Sequence, residues 1–316
     1  MFIPPALPDE IFLGYRSRIE SMIGPISTRA FAAQLISATG CTPSKMDPTG
    51  ALVHLGAKTR GMSSKDFVDA HSNYRINCPP GGRLEPQDLD GRLSRAWVFR
   101  VASTSTSDLR ACPSCVEEDL HTHHFTFWHR SHHVPGRYTC LRHGKALHHF
   151  RFEDAGVKMP SAVMLKGKRA DAALLLHASK SPHIARYLDF MDAVVNGRQV
   201  VDRSVVTASM RMVMLKRGEP VYSRGWSTVM AKKIIDSFSL QWLKAAVLSY
   251  ARGVDDVAQG IVKPLFYDYR CVPHSVLAVL WSMAFTDGDA SHSDRQLADG
   301  KCFAAYPSGH LTTTLG

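Results

Sequence analysis

The chain has 316 residues, of which 45% are hydrophobic and 21% are charged, a balance typical of globular proteins that bury a core. The sequence begins without a basic segment followed by an apolar run, and the longest strongly apolar stretch, residues 275–285, is too short to cross a bilayer. We therefore expect a protein of the cytoplasm with no secretory signal and no membrane span. The net charge of +10 favours a polyanionic partner such as DNA, although basic enzymes share this property.

Residues 1–101 are the first predicted domain, which is helical and resembles a helix-turn-helix. Phe31, Leu35 and Ile36 recur at helical spacing and predict a helix over residues 28–37. A second helix is predicted over residues 64–71, with Ser64 as its N-cap. Between them, turns are predicted at five prolines and glycines: Gly40, Pro43, Pro48, Gly50 and Gly56.

A stretch of small polar residues, 102–108, predicts a linker to a small central zinc-binding domain over residues 109–150. Cys112 and Cys115 form a CxxC pair, and after 24 further residues Cys140 and His143 form a CxxH pair. Two such pairs are typical of a closed, structural Zn²⁺ site with four ligands, and an iron–sulfur cluster is the alternative. The other four cysteines have no regular spacing, so a disulfide scaffold is not predicted: Cys41, Cys78, Cys271 and Cys302.

Many histidines lie within and just after this stretch: His121, His123, His124, His129, His132, His133, His148 and His149. One of them could replace His143 as the fourth ligand. Together with Glu117, Glu118 and Asp119 they could also form a second, hydrolytic metal site, but no HExxH spacing supports it. We predict one structural zinc, exposed histidine loops and no catalytic residue. Apolar packing is expected from four aromatic residues: Phe125, Phe127, Trp128 and Tyr138.

Residues 151–286 are predicted to form a C-terminal helical domain, followed by a flexible tail over residues 287–316. Its first helix is predicted to have Ser181 as N-cap, Pro182 as first residue and Gly197 at its end. Further helices are predicted over residues 205–216, 227–238, 239–251 and 273–285. A basic loop containing Lys166, Lys168 and Arg169 is interpreted as a solvated surface.

Several basic residues on these predicted helices are candidate DNA contacts. Ser227 is predicted to cap the helix that carries Lys232 and Lys233, which would leave N–H groups available for phosphate. The alternative is an ordinary solvated helix face. The candidates are Arg211, Lys216, Arg217, Arg224, Lys232 and Lys233.

The motif positions together resemble the zinc-ribbon signature of the TniQ/TnsD transposition proteins. The resemblance rests on both metal-ligand pairs and on flanking positions: Pro113, Asp119, Trp128, Gly144 and Leu147. The opening segment is similar as well, with Pro8-Asp9-Glu10 followed by Arg18 and Gly24. Weaker similarity extends over three further segments: residues 66–75, 210–235 and 273–284. Unlike many members, this chain has no second cysteine pair after Leu147, and it is shorter than a typical TnsD.

The resemblance implies that the protein selects the target site of a transposon and performs no covalent chemistry itself. Such proteins recognise DNA or sit on an RNA-guided CRISPR effector complex, and they recruit the AAA+ ATPase that regulates the transposase. By the family's pattern, the ATPase would bind the N-terminal region. A nucleoid association is expected, and a homodimer is left open. A zinc-ribbon transcription regulator is the alternative function.

Overall fold

The computed structural model describes residues 2–24, 27–40, 47–77, 108–151, 158–196, 211–218, 225–263 and 272–284. Most of these residues are helical, and they also include one small antiparallel sheet. This confirms the prediction of a mainly α fold. Within the described residues, no helix is long and apolar enough to span a membrane. Nearly all of the predicted linker, as well as Gly197, Arg224 and the predicted tail, lies outside the described residues.

In the described part of the chain before the central region there are five helices: α1 (Phe12–Ile23), α2 (Thr28–Ala38), α3 (Pro48–Arg60), α4 (Ser64–His71) and α5 (Tyr74–Asn77). The predictions of α2 and α4 are confirmed, although Ser63, not Ser64, caps α4. The turns predicted at Pro48, Gly50 and Gly56 are wrong, because all three lie within α3. Pro48 suits the first helical turn, where its missing N–H costs nothing. Gly56 leaves room for Phe67, whose Cζ would lie 2.5 Å from an added Cβ.

The central region contains a three-stranded sheet and a helix that begins at the first cysteine pair. The strands β1 (Asp108–Ala111), β2 (His148–Arg151) and β3 (Lys168–Arg169) pair antiparallel in that order. Helix α6 (Pro113–His123) follows Cys112 directly, and a 3₁₀ turn spans Arg130–His133. Helix α6 was not predicted, because its charged residues and histidines carry only a weak helical pattern.

The C-terminal part is a helical bundle. Its elements are α7 (Pro160–Val163), a 3₁₀ turn (Met164–Lys166), α8 (Ala172–Lys180), α9 (Pro182–Val195), a helical segment at residues 211–216, α10 (Trp226–Phe238), α11 (Leu240–Ala246), α12 (Val254–Val257), a π-helical turn (Ala258–Val262) and α13 (His274–Ala284). Ser181 caps α9 as predicted. The cap predicted at Ser227 is wrong, since α10 begins after Gly225. The helix predicted over residues 239–251 ends already at Ala246.

The hydrophobic cores cross the predicted domain boundaries. Ile11 and Leu13 pack with Leu109 and Trp128 of the central region. Tyr138, also from the central region, belongs to the large core of the C-terminal helices. The central region is therefore packed against both flanking regions, and the division at residues 101 and 151 stays a prediction.

Two contacts fix the central region to the C-terminal helices especially closely. The Trp242 indole Nε1 donates to the Gly136 carbonyl at 3.3 Å, and the ring lies where a Cβ at Gly136 would be. Gly136 also has φ +78°, a left-handed conformation that only glycine adopts without strain. This position therefore excludes any side chain for two separate reasons.

Candidate metal centre

The four predicted ligands come together in one cluster. Cys112 and Cys115 lie at the start of α6, as N-cap and in the first turn. Cys140 and His143 come from a tight turn in which the Gly144 N–H donates to the Cys140 carbonyl at 2.8 Å. The potential ligand atoms of all four residues lie within 4.8 Å of one another. The three sulfur-bearing residues are buried, which keeps water away from the cluster.

The distances within the cluster fit a tetrahedral metal ion. The Nδ1 atom of His143 lies 3.7 Å from Cys112 Sγ, 3.4 Å from Cys115 Sγ and 3.5 Å from Cys140 Sγ. Cys115 Sγ and Cys140 Sγ are 3.6 Å apart. Zn–S bonds of about 2.3 Å and a Zn–N bond of about 2.0 Å would give S···N edges of about 3.6 Å and S···S edges of about 3.8 Å. The donor set and the spacing thus suit a structural zinc ion.

His132 is the other histidine that lies close to a cysteine of the cluster. Its Nε2 atom lies 3.6 Å from Cys115 Sγ, but among the described histidines it is His143 that joins the three cysteines in a group with metal-ligand spacing. The geometry therefore favours His143 as the fourth ligand. His132 is placed to donate an N–H···S hydrogen bond to a thiolate, which is the usual task of a residue just outside a metal's ligand shell.

Without a metal, the three thiols are electrostatically crowded. The hydrogen bond with Cys140 raises the pKa of the Cys115 thiol, and burial and the neighbouring charges of Cys140 and Cys112 raise it further. A divalent cation removes this conflict because it stabilises all three thiolates together. The chemistry of the cluster thus points to a cation at its centre.

The imidazole of His143 is oriented from outside by a carboxylate. Glu118 Oε1 accepts from His143 Nε2 at 2.7 Å, which leaves Nδ1 facing the three sulfur atoms. Arg142 holds the other carboxylate oxygen at 2.5 Å. Glu118 follows Cys115 by three residues on α6, so the helix places both residues on one face. This role of Glu118 was not predicted from the sequence, where it was a candidate for a hydrolytic site only, because the helix that gives it this position was not predicted.

We expect Glu118→Gln to weaken zinc binding about tenfold, because a carboxylate partner fixes the tautomer of a histidine ligand and makes it more basic. Competition between the purified protein and a chromophoric chelator measures this affinity. Glu117→Gln is the matched control, since Glu117 is exposed on the same helix turn. Equal affinities in the two variants would contradict the orienting role of Glu118.

A buried ionic network lies beside the metal centre. His129 Nε2 contacts Asp119 Oδ2 at 3.1 Å, and its Nδ1 lies 3.6 Å from Asp9 Oδ2. Burial lowers the pKa of His129, but the hydrogen bonds to Asp119 and Asp9 outweigh it and raise the pKa to about 9. The protonated ring therefore stabilises the fold fully below its unfolded pKa of about 6.5, and this contribution is lost as the pH rises through about 9.

The prediction that the histidines lie in exposed loops is wrong for three of them. His129, His132 and His133 are all buried. His133 Nε2 accepts from the Arg110 backbone N–H at 3.1 Å, and its Nδ1 lies 2.8 Å from the His129 carbonyl. Burial lowers the pKa of His133 to about 3, so this ring is neutral. These histidines hold the lobe together, and among the described residues they form no second metal-binding group.

The four aromatic residues that were expected to supply apolar packing differ in their burial. Phe127, Trp128 and Tyr138 are buried, whereas Phe125 is half-buried. The Trp128 Nε1 donates to the Lys158 carbonyl at 2.9 Å and its ring meets Phe150 edge-on. The aromatic residues therefore serve different cores instead of forming one small core around the metal.

The candidate DNA-contacting residues are distributed over two helical segments. Lys216 and Arg217 are exposed at the end of the segment 211–216, and Lys232 and Lys233 are exposed on α10. Arg211 is half-buried, and Arg224 lies outside the described residues. Met214 and Met230 anchor the two segments in the same core. No phosphate-binding helix end remains at Ser227, since it lies inside α10.

The fold and the cluster together define a mainly helical protein built around a small lobe with a Cys₃His metal-binding group. Residues 1–147, which include all four cluster residues, match the family model described as TniQ. Over these residues the chain is similar to the TniQ family, whose members are associated with transposition. A search of curated proteins gives no match.

Proposed function

We propose that this protein selects the target site of a transposon and recruits the AAA+ ATPase that regulates the transposase. The observation that carries the proposal is the TniQ match over residues 1–147, in which all four potential metal ligands are present and clustered. In this role the protein binds and positions other macromolecules and catalyses no reaction. One Zn²⁺ ion, held by Cys112, Cys115, Cys140 and His143, acts as a brace.

The arrangement of contacts supports a scaffold of this kind. Arg130 donates through one guanidinium nitrogen to the carbonyls of Asp69, at 2.9 Å, and Val195, at 3.3 Å. It thus connects α4, the central lobe and the end of α9. A rigid connection of this kind allows a surface at one end of the molecule to hold a fixed orientation to a surface at the other end, as an adaptor between target and ATPase requires.

DNA binding is proposed through the exposed lysines of α10. We expect the double variant Lys232→Glu/Lys233→Glu to bind duplex DNA more weakly and to reduce the slope of log affinity against log salt by about 2, since each lost phosphate contact removes about 0.9. Fluorescence anisotropy over a salt series measures both quantities. Lys58→Glu/Lys180→Glu carries the same charge change on exposed positions of other helices and is the control.

An unchanged affinity and slope in the α10 variant would remove these lysines from the proposal. Binding by the wild-type protein alone then separates the two modes of targeting. Sequence-specific binding supports direct recognition of DNA, whereas weak binding that falls steeply with salt supports an adaptor on an RNA-guided complex. Co-purification with a AAA+ ATPase of a transposition system tests recruitment, and a lack of binding would favour a transcription regulator.

A further inference from the structure

A polar pocket of about 520 Å³ lies where the sheet of the central lobe meets the C-terminal helices. β1 and β2 form one wall, and the start of α8 and the end of α11 form the others. Its volume lies in the range of roughly 300–1,000 Å³ that is typical of small-ligand sites. The polar residues of the wall that matter here are Arg110, Tyr138, His149, Asp171 and Lys244.

The sheet places two cationic side chains at this wall, with a neutral histidine between them: the pKa of His149 is lowered to about 4 by burial and by the charge of Arg110. Arg110 pairs with His149, and His149 pairs with Lys168, so these three residues lie side by side across β1, β2 and β3. Directly paired residues share one face of a sheet. Arg151 lies on the same face, because it is two residues beyond His149 on β2. Lys168 belongs to the basic loop that was interpreted as a solvated surface. It lies next to His149 in the sheet, and His149 lines the pocket.

Arg110 is a buried cation without a carboxylate partner. Its side chain is only 3% exposed, and its NH1 atom donates to the carbonyls of Val134 and Arg137 at 3.2 and 2.8 Å. No ion pair joins it to a carboxylate in the part of the chain that the structure describes. A buried charge that is not neutralised is costly, so an anion close to it is strongly favoured.

Further polar groups of the same wall have no hydrogen-bond partner. They are Arg110 Nε, the Tyr138 hydroxyl and His149 Nε2, all buried. Both other groups contact the ring of Tyr138. The Arg110 guanidinium lies 5.5 Å from the centre of this ring, and the His149 ring stacks on it with a centroid distance of 5.6 Å. These groups therefore form one packed cluster whose hydrogen-bonding capacity is not used within the protein.

Two acidic residues lie in the same wall, Asp171 and Asp108. Asp171 accepts hydrogen bonds from the backbone N–H groups of Ala173 and Leu174, as the cap of α8. Asp108 lies opposite Arg151 in the sheet register, and its charge also acts on Arg110. Across the pocket, α11 contributes a second cation, the exposed Lys244.

We propose that this pocket binds a phosphate group, carried either by a free nucleotide or by a nucleic-acid strand. Arg110 provides a fixed positive charge behind the pocket wall, and Lys244 adds a point charge from the opposite wall. The Tyr138 hydroxyl and His149 supply further donors. This ligand is separate from the target-selection proposal, and its titration needs no partner protein.

Isothermal titration of the zinc-loaded full chain with inorganic phosphate and with thymidine 5′-monophosphate tests the site at constant ionic strength. We expect saturable binding of both probes and about tenfold weaker binding in Lys244→Gln, since a hydrogen bond to a charged group contributes that much. Lys244 is exposed, so the variant is expected to fold. Lys180→Gln, an exposed lysine at the end of α8, is the control and should bind as the wild type does.

A short DNA duplex added as competitor then identifies the source of the phosphate. Displacement of the nucleotide assigns the site to nucleic acid, and no displacement assigns it to a free nucleotide; either result supports a phosphate site. Lack of saturable binding of both probes would overturn the proposal. Equal affinities in Lys244→Gln, Lys180→Gln and the wild type would overturn it as well.

Discussion

A Cys140→Ser variant is expected to lose its zinc and to unfold at least the central lobe. A hydroxyl is a poor zinc ligand, and structural zinc sites supply on the order of 10 kcal/mol of binding free energy that is also folding free energy. Ile11, Leu13 and Tyr138 join the lobe to both neighbouring cores, so the loss should spread beyond it. Metal analysis of the purified variant and its thermal unfolding curve measure the two effects.

Cys302→Ser is the matched control, since this cysteine lies far from the motif in the sequence. It should retain one zinc per chain and the wild-type unfolding temperature. A metal-free Cys140→Ser protein with unchanged stability would show that the metal is not a structural brace. A strong chelator added to the wild-type protein should reproduce the unfolding without any substitution.

Glu10→Gln is expected to lower the free energy of unfolding by about 3–5 kcal/mol, the cost of leaving one partner of a buried ion pair without the other. The Glu10 side chain is fully buried, and its carboxylate binds Arg18 through both oxygens, at 2.8 and 2.7 Å. Arg18 also donates to the Pro5 carbonyl and lies over the Phe125 ring. Denaturant unfolding of the wild type and the variant gives the difference.

The control for this change is Glu20→Gln on α1, the helix that carries Arg18, because Glu20 pairs with Arg16 near the surface at 2.8 Å. A surface pair of this kind contributes well under about 1 kcal/mol. If both variants lost the same small amount of stability, the buried pair would have no special role. If Glu10→Gln alone is strongly destabilised, the opening segment of the chain is a structural part of the fold.

The metal cluster could be predicted from the sequence because each pair of ligands is only three residues apart in the chain. The spacing within each pair is fixed by one turn, and the chemistry of cysteine and histidine leaves few alternatives. The cap of α9 was predictable for the same reason, since a cap is defined by neighbouring residues. Helix α9 also carries a clear apolar stripe, which gave its position before any tertiary contact was known.

Features that depend on tertiary contacts could not be read in this way. Helix α3 contains two glycines and begins with a proline, so its local pattern favours turns, yet Gly56 is required by the approach of Phe67. His129 and His133 were predicted to lie in exposed loops, because the histidine side chain is polar. Their burial follows from partners distant in the chain, such as Asp9 for His129. The role of Glu118 depended in turn on an unpredicted helix.

Contacts with the central lobe explain why the opening segment, residues 8–10, resembles that of the family together with the metal-ligand pairs. Asp9 accepts from the Ser131 hydroxyl at 2.5 Å, while the Ile11 backbone N–H donates to the Trp128 carbonyl at 2.9 Å. Glu10 and His129 form a single antiparallel bridge between these contacts. The segment therefore continues the central lobe, although more than a hundred residues separate the two in sequence.

This pairing of distant segments has a consequence for how the chain folds as it is synthesised. Asp9, Glu10 and Ile11 leave the ribosome long before residues 128–131, so the first helices emerge with part of their core uncovered. Contacts of such high sequence separation form slowly, because a long loop must close first. The amino-terminal half is therefore expected to depend on chaperones until the central lobe is complete, and zinc supply during synthesis should influence the yield of folded protein.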